Sequence, residues 1–304
     1  MNNRAMIVTV AALLSATLFL ARSAVAAEKI DFEPVVGFPN VPDGIELGQC
    51  SGVAVDKKGQ IYLFHRNDPP VICFDADGNF VRSWGDGLFS NAHGLRIDRD
   101  GNLWVTDTGH HVVIKFSPTG KLLLTLGKAD NPGLGTDQFD KPTDIAFSDK
   151  GEIYVSDGYG NSRVMKFTAE GKFLTTWGKP GDGPGQFNLP HTIVVDTKGQ
   201  VIVGDRENNR LQIFDGDGKL LKIQSGFAPF GLVLDTGGVL FVADGRANKV
   251  LMLNEQYEVV QSWGQTGRQP GQFDIAHMIS ADQRGNLYVV DIQGQRLQKL
   301  ARKR

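Results

Sequence analysis

Six histidines stand in the 304-residue chain, at positions 65, 93, 110, 111, 191 and 277, and three of them share a setting. His93, His191 and His277 each directly precede a short alternating apolar run: Gly94-Leu95-Arg96-Ile97, Thr192-Ile193-Val194-Val195 and Met278-Ile279-Ser280-Ala281. Three imidazoles brought to one point would make a zinc site with an open fourth position, which leaves room for a reacting group. Two arginines share a second setting. Arg66 and Arg206 each follow the end of a β-type run, where a guanidinium suits bidentate capture of a carboxylate. A third feature is Asp157-Gly158-Tyr159-Gly160-Asn161-Ser162-Arg163, one residue longer than its counterpart Asp205 to Arg210, which would push the Tyr159 phenol forward. His110 and His111 read as a solvated turn. His65 falls where comparable runs end in Asp, a structural place.

The elements that must position these groups follow from an internal repeat. An apolar alternating run, a Gly-containing turn and a second run ending in Asp recur six times, for example Gly94 to Asp98 with Gly101 to Asp107, and Thr192 to Asp196 with Gly199 to Asp205. A third run such as Arg210 to Phe214 follows most copies, and a fourth ends in Gly, as in Phe173 to Gly178. Such β-branched and aromatic runs joined by Asp/Asn/Gly turns are antiparallel strands in tight hairpins. The units start at Ser51, His93, Thr143, His191, Phe230 and His277, spaced 39 to 50 residues apart, the length of one propeller blade. The expected fold is an all-β, six-bladed β-propeller of four-stranded antiparallel blades. The last unit holds three strands, and the stretch Ile30 to Gly37 is placed to supply the fourth, closing the ring with an N-terminal strand. Alternate blades lie roughly 120° apart, so histidines of units two, four and six converge on the channel axis.

Composition narrows the class. The 37 glycines have no Gly-X-Y period and are explained by one or two turn positions per hairpin. With 32 Lys+Arg against 34 Asp+Glu the chain is not a basic nucleic-acid or membrane-surface binder. Two cysteines exclude a disulfide scaffold; Cys50 precedes one strand and Cys73 lies in the next but one, and if these flank a common neighbour they stand too far apart to bridge without a loop excursion, so small buried thiols are the first expectation and a Cys50–Cys73 disulfide the alternative. Residues 1–26 read as a signal peptide, with Arg4, an apolar run over Ala5 to Ala21 and the small-x-small motif Ala24-Val25-Ala26. The propeller then spans residues 27–304, in a protein exported to the periplasm or the extracellular space and expected as a monomer.

Phe64-His65-Arg66, His93-Gly94-Leu95, Lys141-Pro142-Thr143-Asp144, Val155 to Tyr159 with Asn161-Ser162-Arg163, Pro190-His191 and Asp205-Arg206-Glu207-Asn208 together resemble the catalytic domain of peptidyl-α-hydroxyglycine α-amidating lyases, six-bladed propellers of the NHL-repeat class. The resemblance runs from about Gly48 to Leu300. It implies zinc on His93, His191 and His277, Tyr159 as catalytic base, and Arg66 and Arg206 at the substrate site. The implied reaction cleaves the C–N bond of a peptidyl- or N-acyl-α-hydroxyglycine to give an amide and glyoxylate. The resemblance also implies a structural calcium held by the backbone carbonyls of Val53 and Leu95 and by an Asp after the third zinc histidine. Here that residue is Met278, whose thioether is a poor ligand for a hard cation, and Asp274 is the neighbouring carboxylate that would have to compensate. Ile275-Ala276 stands where the family has Met-Pro, and Gly160 replaces a half-cystine.

The competing reading is a non-catalytic exported propeller that binds a peptide or protein partner, with structural histidines. A calcium-centred propeller hydrolase would want a carboxylate-rich mouth, and RNA binding is disfavoured by the charge balance and by export.

Overall fold

Alternation with period two decides where each side chain goes. In the strand Ile61–His65, Ile61 and Leu63 face one way and Tyr62 and Phe64 the other. The first pair joins an apolar cluster with Met278, Tyr288 and Val290, and the second joins one with Leu95, Leu103 and Val105. Such a strand is buried on both faces and belongs to a sheet sandwiched between two others. The same division recurs around the molecule, so six apolar clusters fill the six seams between neighbouring sheets.

The computed structural model describes residues 30–303; the expected signal segment, residues 1–26, lies outside the described residues. Those residues form a six-bladed β-propeller of six four-stranded antiparallel sheets. Each blade runs outward from an inner strand. The inner strands of blades one to six are Cys50–Val55, Ala92–Ile97, Pro142–Phe147, Pro190–Val195, Pro229–Leu234 and Ala276–Ala281. Blade six takes its outer strand, Phe32–Pro34, from the N-terminal side; it pairs antiparallel with Arg296–Arg302 and closes the ring. Cys50 and Cys73 are free and buried, and they pair with opposite ends of the strand between them, Cys50 with His65 and Cys73 with Tyr62.

The expected strand-ending aspartates act as anchors for the incoming chain. In Asp107, Asp157, Asp205 and Asp291 the carboxylate accepts the backbone N–H of the residue 17 positions earlier, at 2.7–3.0 Å. His65 does the same work in blade one: its Nδ1 accepts from Gly48 N–H at 3.1 Å and from Asn67 N–H at 3.3 Å. Only a neutral ring can accept in this way, and burial holds His65 down at about 4. Because the folded value lies below the unfolded one, this contribution is present above about pH 6.5 and is lost as pH falls through about 4. His65→Ala strands the buried Gly48 N–H and releases the more exposed Asn67 N–H, and is expected to cost about 1–3 kcal/mol in urea unfolding at pH 7, with a shallower acid limb of the stability profile.

Candidate metal centre

The centre is built on a fault in the ladder that every blade repeats. The first residue of each inner strand pairs with the last residue of the second strand, and the residue after it is skipped. The skipped positions are Ser51, Thr143, His191 and Phe230, and in blades two and six the pairs His93-Gly94 and His277-Met278. The sequence reading set the histidines just before their strands; they are instead the second residues of those strands, held at β-bulges, which aim side chains away from the regular pleat. Close approach of the next blade accompanies this. A Cβ on Gly94 would lie 2.6 Å from the Thr143 carbonyl oxygen, so the residue after His93 has to be glycine.

Each histidine is then oriented by the blade beside it. Nδ1 of His93 bonds to the carbonyl of Thr143 at 2.7 Å, Nδ1 of His191 to that of Phe230 at 2.6 Å, and Nδ1 of His277 to that of Ser51 at 2.7 Å. A carbonyl only accepts, so in all three rings Nδ1 carries the hydrogen and Nε2 keeps its lone pair. The rings meet edge to face with centroids 4.8, 4.9 and 4.9 Å apart, and their ligand atoms lie within 4.8 Å of one another. All three are buried. Burial lowers the pKa of His93 to about 3, opposed by the Thr143 hydrogen bond and reinforced by the charges of Arg66 and Arg206; His191 and His277 are likewise held well below the ordinary value, burial first. The imidazoles are neutral at neutral pH, and no proton has to leave before a metal enters. Three neutral nitrogens with Nδ1–H fixed by backbone carbonyls fit zinc and its usual outer shell.

Tyr159 and the two arginines close over this trio. A Cβ on Gly158 would sit 2.1 Å from the Pro190 carbonyl oxygen, and the glycine lets the Tyr159 loop lie against the blade-four strand. Asp157 fixes the loop from below, accepting from Asp140 N–H, Asn161 Nδ2 and Arg163 Nε at 2.7–2.9 Å. The Tyr159 hydroxyl lies 3.2 Å from Nε2 of both His93 and His191 and 3.3 Å from Nη1 of Arg206. Arg206 stacks on Tyr159 and on Phe230, with its Cζ 5.5 and 4.7 Å from the ring centroids, and bonds Glu207 at 2.8 Å. Arg66 donates to the Ala92 carbonyl at 3.2 Å and to Gln49 at 2.5 Å. Among the described residues, Nη2 of neither Arg66 nor Arg206 has a protein partner.

Other sequence expectations fall elsewhere. His110 pairs with Asp130 at 2.8 Å on a partly exposed turn, but His111 is not simply solvated, since its Nδ1 accepts from Lys141 N–H at 3.1 Å and lies 3.2 Å from Asp140. The carboxylate that calcium would need beside the Val53 and Leu95 carbonyls is missing: the Met278 side chain belongs to an apolar cluster, and Asp274 is paired with Arg268 at 3.0 Å. Sequence reasoning missed Phe230 as the platform under Arg206, although its register with the three histidines was the available signal. His93→Ala, His191→Ala and His277→Ala are each expected to lose zinc measured by mass spectrometry after dialysis, while His110→Ala retains a full equivalent.

A family model described as NHL repeat matches residues 89–116, 139–167 and 187–214, the cores of blades two to four. The chain is 34% identical over 289 residues to mouse peptidyl-glycine alpha-amidating monooxygenase, a match covering 80% of this chain and 29% of the mouse protein. It is 37% identical over 156 residues to Drosophila melanogaster peptidyl-alpha-hydroxyglycine alpha-amidating lyase 2, covering 43% and 38% of the two. Human NHL repeat-containing protein 3 is 32% identical over 299 residues, covering 90% and 84%. Among solved structures, a streptogramin B lyase superimposes with a TM-score of 0.64 at 16% identity over 90% of this chain and 98% of that one, a likeness of fold alone. The chain spans less than a third of the mouse protein's length. By this kinship and by its blade architecture, the chain belongs to the NHL-repeat family of six-bladed β-propellers, which it shares with the peptidyl-α-hydroxyglycine α-amidating lyases.

Proposed function

We propose that the protein is a zinc-dependent carbon–nitrogen lyase that cleaves a peptidyl- or N-acyl-α-hydroxyglycine to the corresponding amide and glyoxylate. The observation that carries the reading is the convergence of three Nε2 lone pairs, the Tyr159 hydroxyl and the Arg206 guanidinium on one point at the channel mouth. The relatives named as amidating lyases support it. His93, His191 and His277 would hold the zinc, which when bound supplies a Lewis acid that makes a nearby hydroxyl more acidic. Tyr159, 39% exposed, stands where its oxygen meets both the substrate side and the histidines.

The roles of the side chains follow from their free valences. The unpartnered Nη2 groups of Arg66 and Arg206 take the terminal carboxylate, and their charges favour the anion that develops as the carbinol proton leaves. Tyr159, acting as its phenolate, takes that proton and passes it to the departing amide nitrogen. The carbinol oxygen becomes the aldehyde oxygen of glyoxylate, the C–N bond breaks, and the amide nitrogen recovers one proton, so the products balance the substrate. Glu207 and Phe230 hold Arg206 in place through the 2.8 Å ion pair and the ring contact. Export through residues 1–26 and action outside the cytoplasm, as a monomer, belong to the same proposal.

The second reading, an exported propeller that binds a partner without catalysis, draws on the near full-length likeness to human NHL repeat-containing protein 3. A glyoxylate-release assay with an N-acyl-α-hydroxyglycine separates the two. The lyase reading expects turnover, a fall in kcat of roughly 10²–10⁴-fold for Tyr159→Phe, and a rise in KM of about tenfold or more for Arg206→Ala. Absence of glyoxylate from the zinc-loaded protein favours the binding propeller.

A further inference from the structure

We infer that four of the six inner strands of this propeller, those of blades two to five, are tied together by a cation that the chain itself supplies, the guanidinium of Arg96, and that the histidine trio is assembled without calcium. Asp144 is the sole carboxylate on the six inner strands, and Arg96 is the sole arginine or lysine there. They meet in a two-pronged ion pair: Arg96 Nε donates to Asp144 Oδ1 at 2.9 Å and Nη2 to Oδ2 at 2.5 Å. The side chains are 14% and 0% exposed. Asp144 Oδ2 also accepts from the Thr192 hydroxyl at 2.9 Å and Ile193 N–H at 3.1 Å, and Oδ1 from Ile145 N–H at 2.8 Å. The Thr192 oxygen in turn accepts from Leu232 N–H at 3.1 Å. One polar chain therefore links the inner strands of blades two, three, four and five.

This arrangement leaves calcium without a free carboxylate on the inner strands. The ion takes six to eight oxygens, with carboxylates among them. The one inner-strand carboxylate is saturated by five hydrogen bonds, and the seam between blades six and one is apolar, with Met278 against Val53. The tie also touches the metal centre. Asp144 follows Thr143, whose carbonyl orients His93, and Thr192 follows His191. Arg96 and Asp144 are thus positioning residues for two of the three histidines; that part of the inference rests on the metal-centre reading, and the calcium part does not.

The test has two readouts. Equilibrium dialysis of the wild-type protein against ⁴⁵Ca at about 1 mM, together with thermal unfolding with and without calcium, is expected to give no stoichiometric binding and an unchanged Tm. Zinc affinity by chelator competition is expected to fall roughly 10- to 100-fold in Arg96→Ala and by a smaller factor in Arg96→Lys, which keeps the charge but not the two-pronged geometry. One calcium per chain, or a calcium-dependent rise in Tm, would overturn the inference. Wild-type zinc affinity in both folded variants would overturn the positioning role, and Arg96→Lys serves if Arg96→Ala does not fold. A wild-type protein without zinc affinity would count against the lyase reading and against the positioning role, with the calcium result still decisive for the tie.

Discussion

A hydrogen bond from an imidazole to the backbone of the next blade organises the channel mouth. The bulge in each inner strand takes one or two residues out of the ladder and leaves a carbonyl to be satisfied elsewhere. In blades one, three and five that carbonyl belongs to Ser51, Thr143 and Phe230, and in each case it is taken by the histidine of the preceding even-numbered blade. Odd blades supply acceptors and even blades supply donors. The same three contacts therefore stitch blade to blade, fix the tautomer of each ring and turn three Nε2 atoms toward one another.

The electrostatics of the mouth follow from that placement. Three neutral rings, kept neutral mainly by burial, lie beneath the guanidinium groups of Arg66 and Arg206. The chain as a whole carries a formal net charge of −2, so the positive charge at this end is local and not an expression of overall composition. Arg206 is held by stacking on Tyr159 and Phe230 and by the Glu207 carboxylate, which spares one edge of the guanidinium for an incoming anion.

Much of this was legible in the sequence because the fold is a repeat. Unit spacing gave six blades, the three-strand remainder gave ring closure, and the common register of His93, His191 and His277 put them on one axis. What stayed hidden depends on contacts between units. The bulge cannot be read from alternation, which sets the histidines before their strands instead of within them. Arg96 and Asp144 are 48 residues apart and each looks unremarkable in its own run; only the ring brings them together. His65 was readable as an aspartate substitute from its register, whereas the acceptor role of its Nδ1 toward Gly48 and Asn67 needed coordinates. His111, assigned to a solvated turn, is drawn in by Lys141 and Asp140 from the following blade.

The central claim, that three histidines from alternate blades form one metal centre with a position left open, is tested most directly by X-ray absorption at the zinc edge of the zinc-loaded protein. The account predicts three nitrogen scatterers at about 2.0–2.1 Å with the multiple-scattering pattern of imidazole and one further light ligand. A shell dominated by oxygen, or fewer than three imidazoles per zinc, would contradict it.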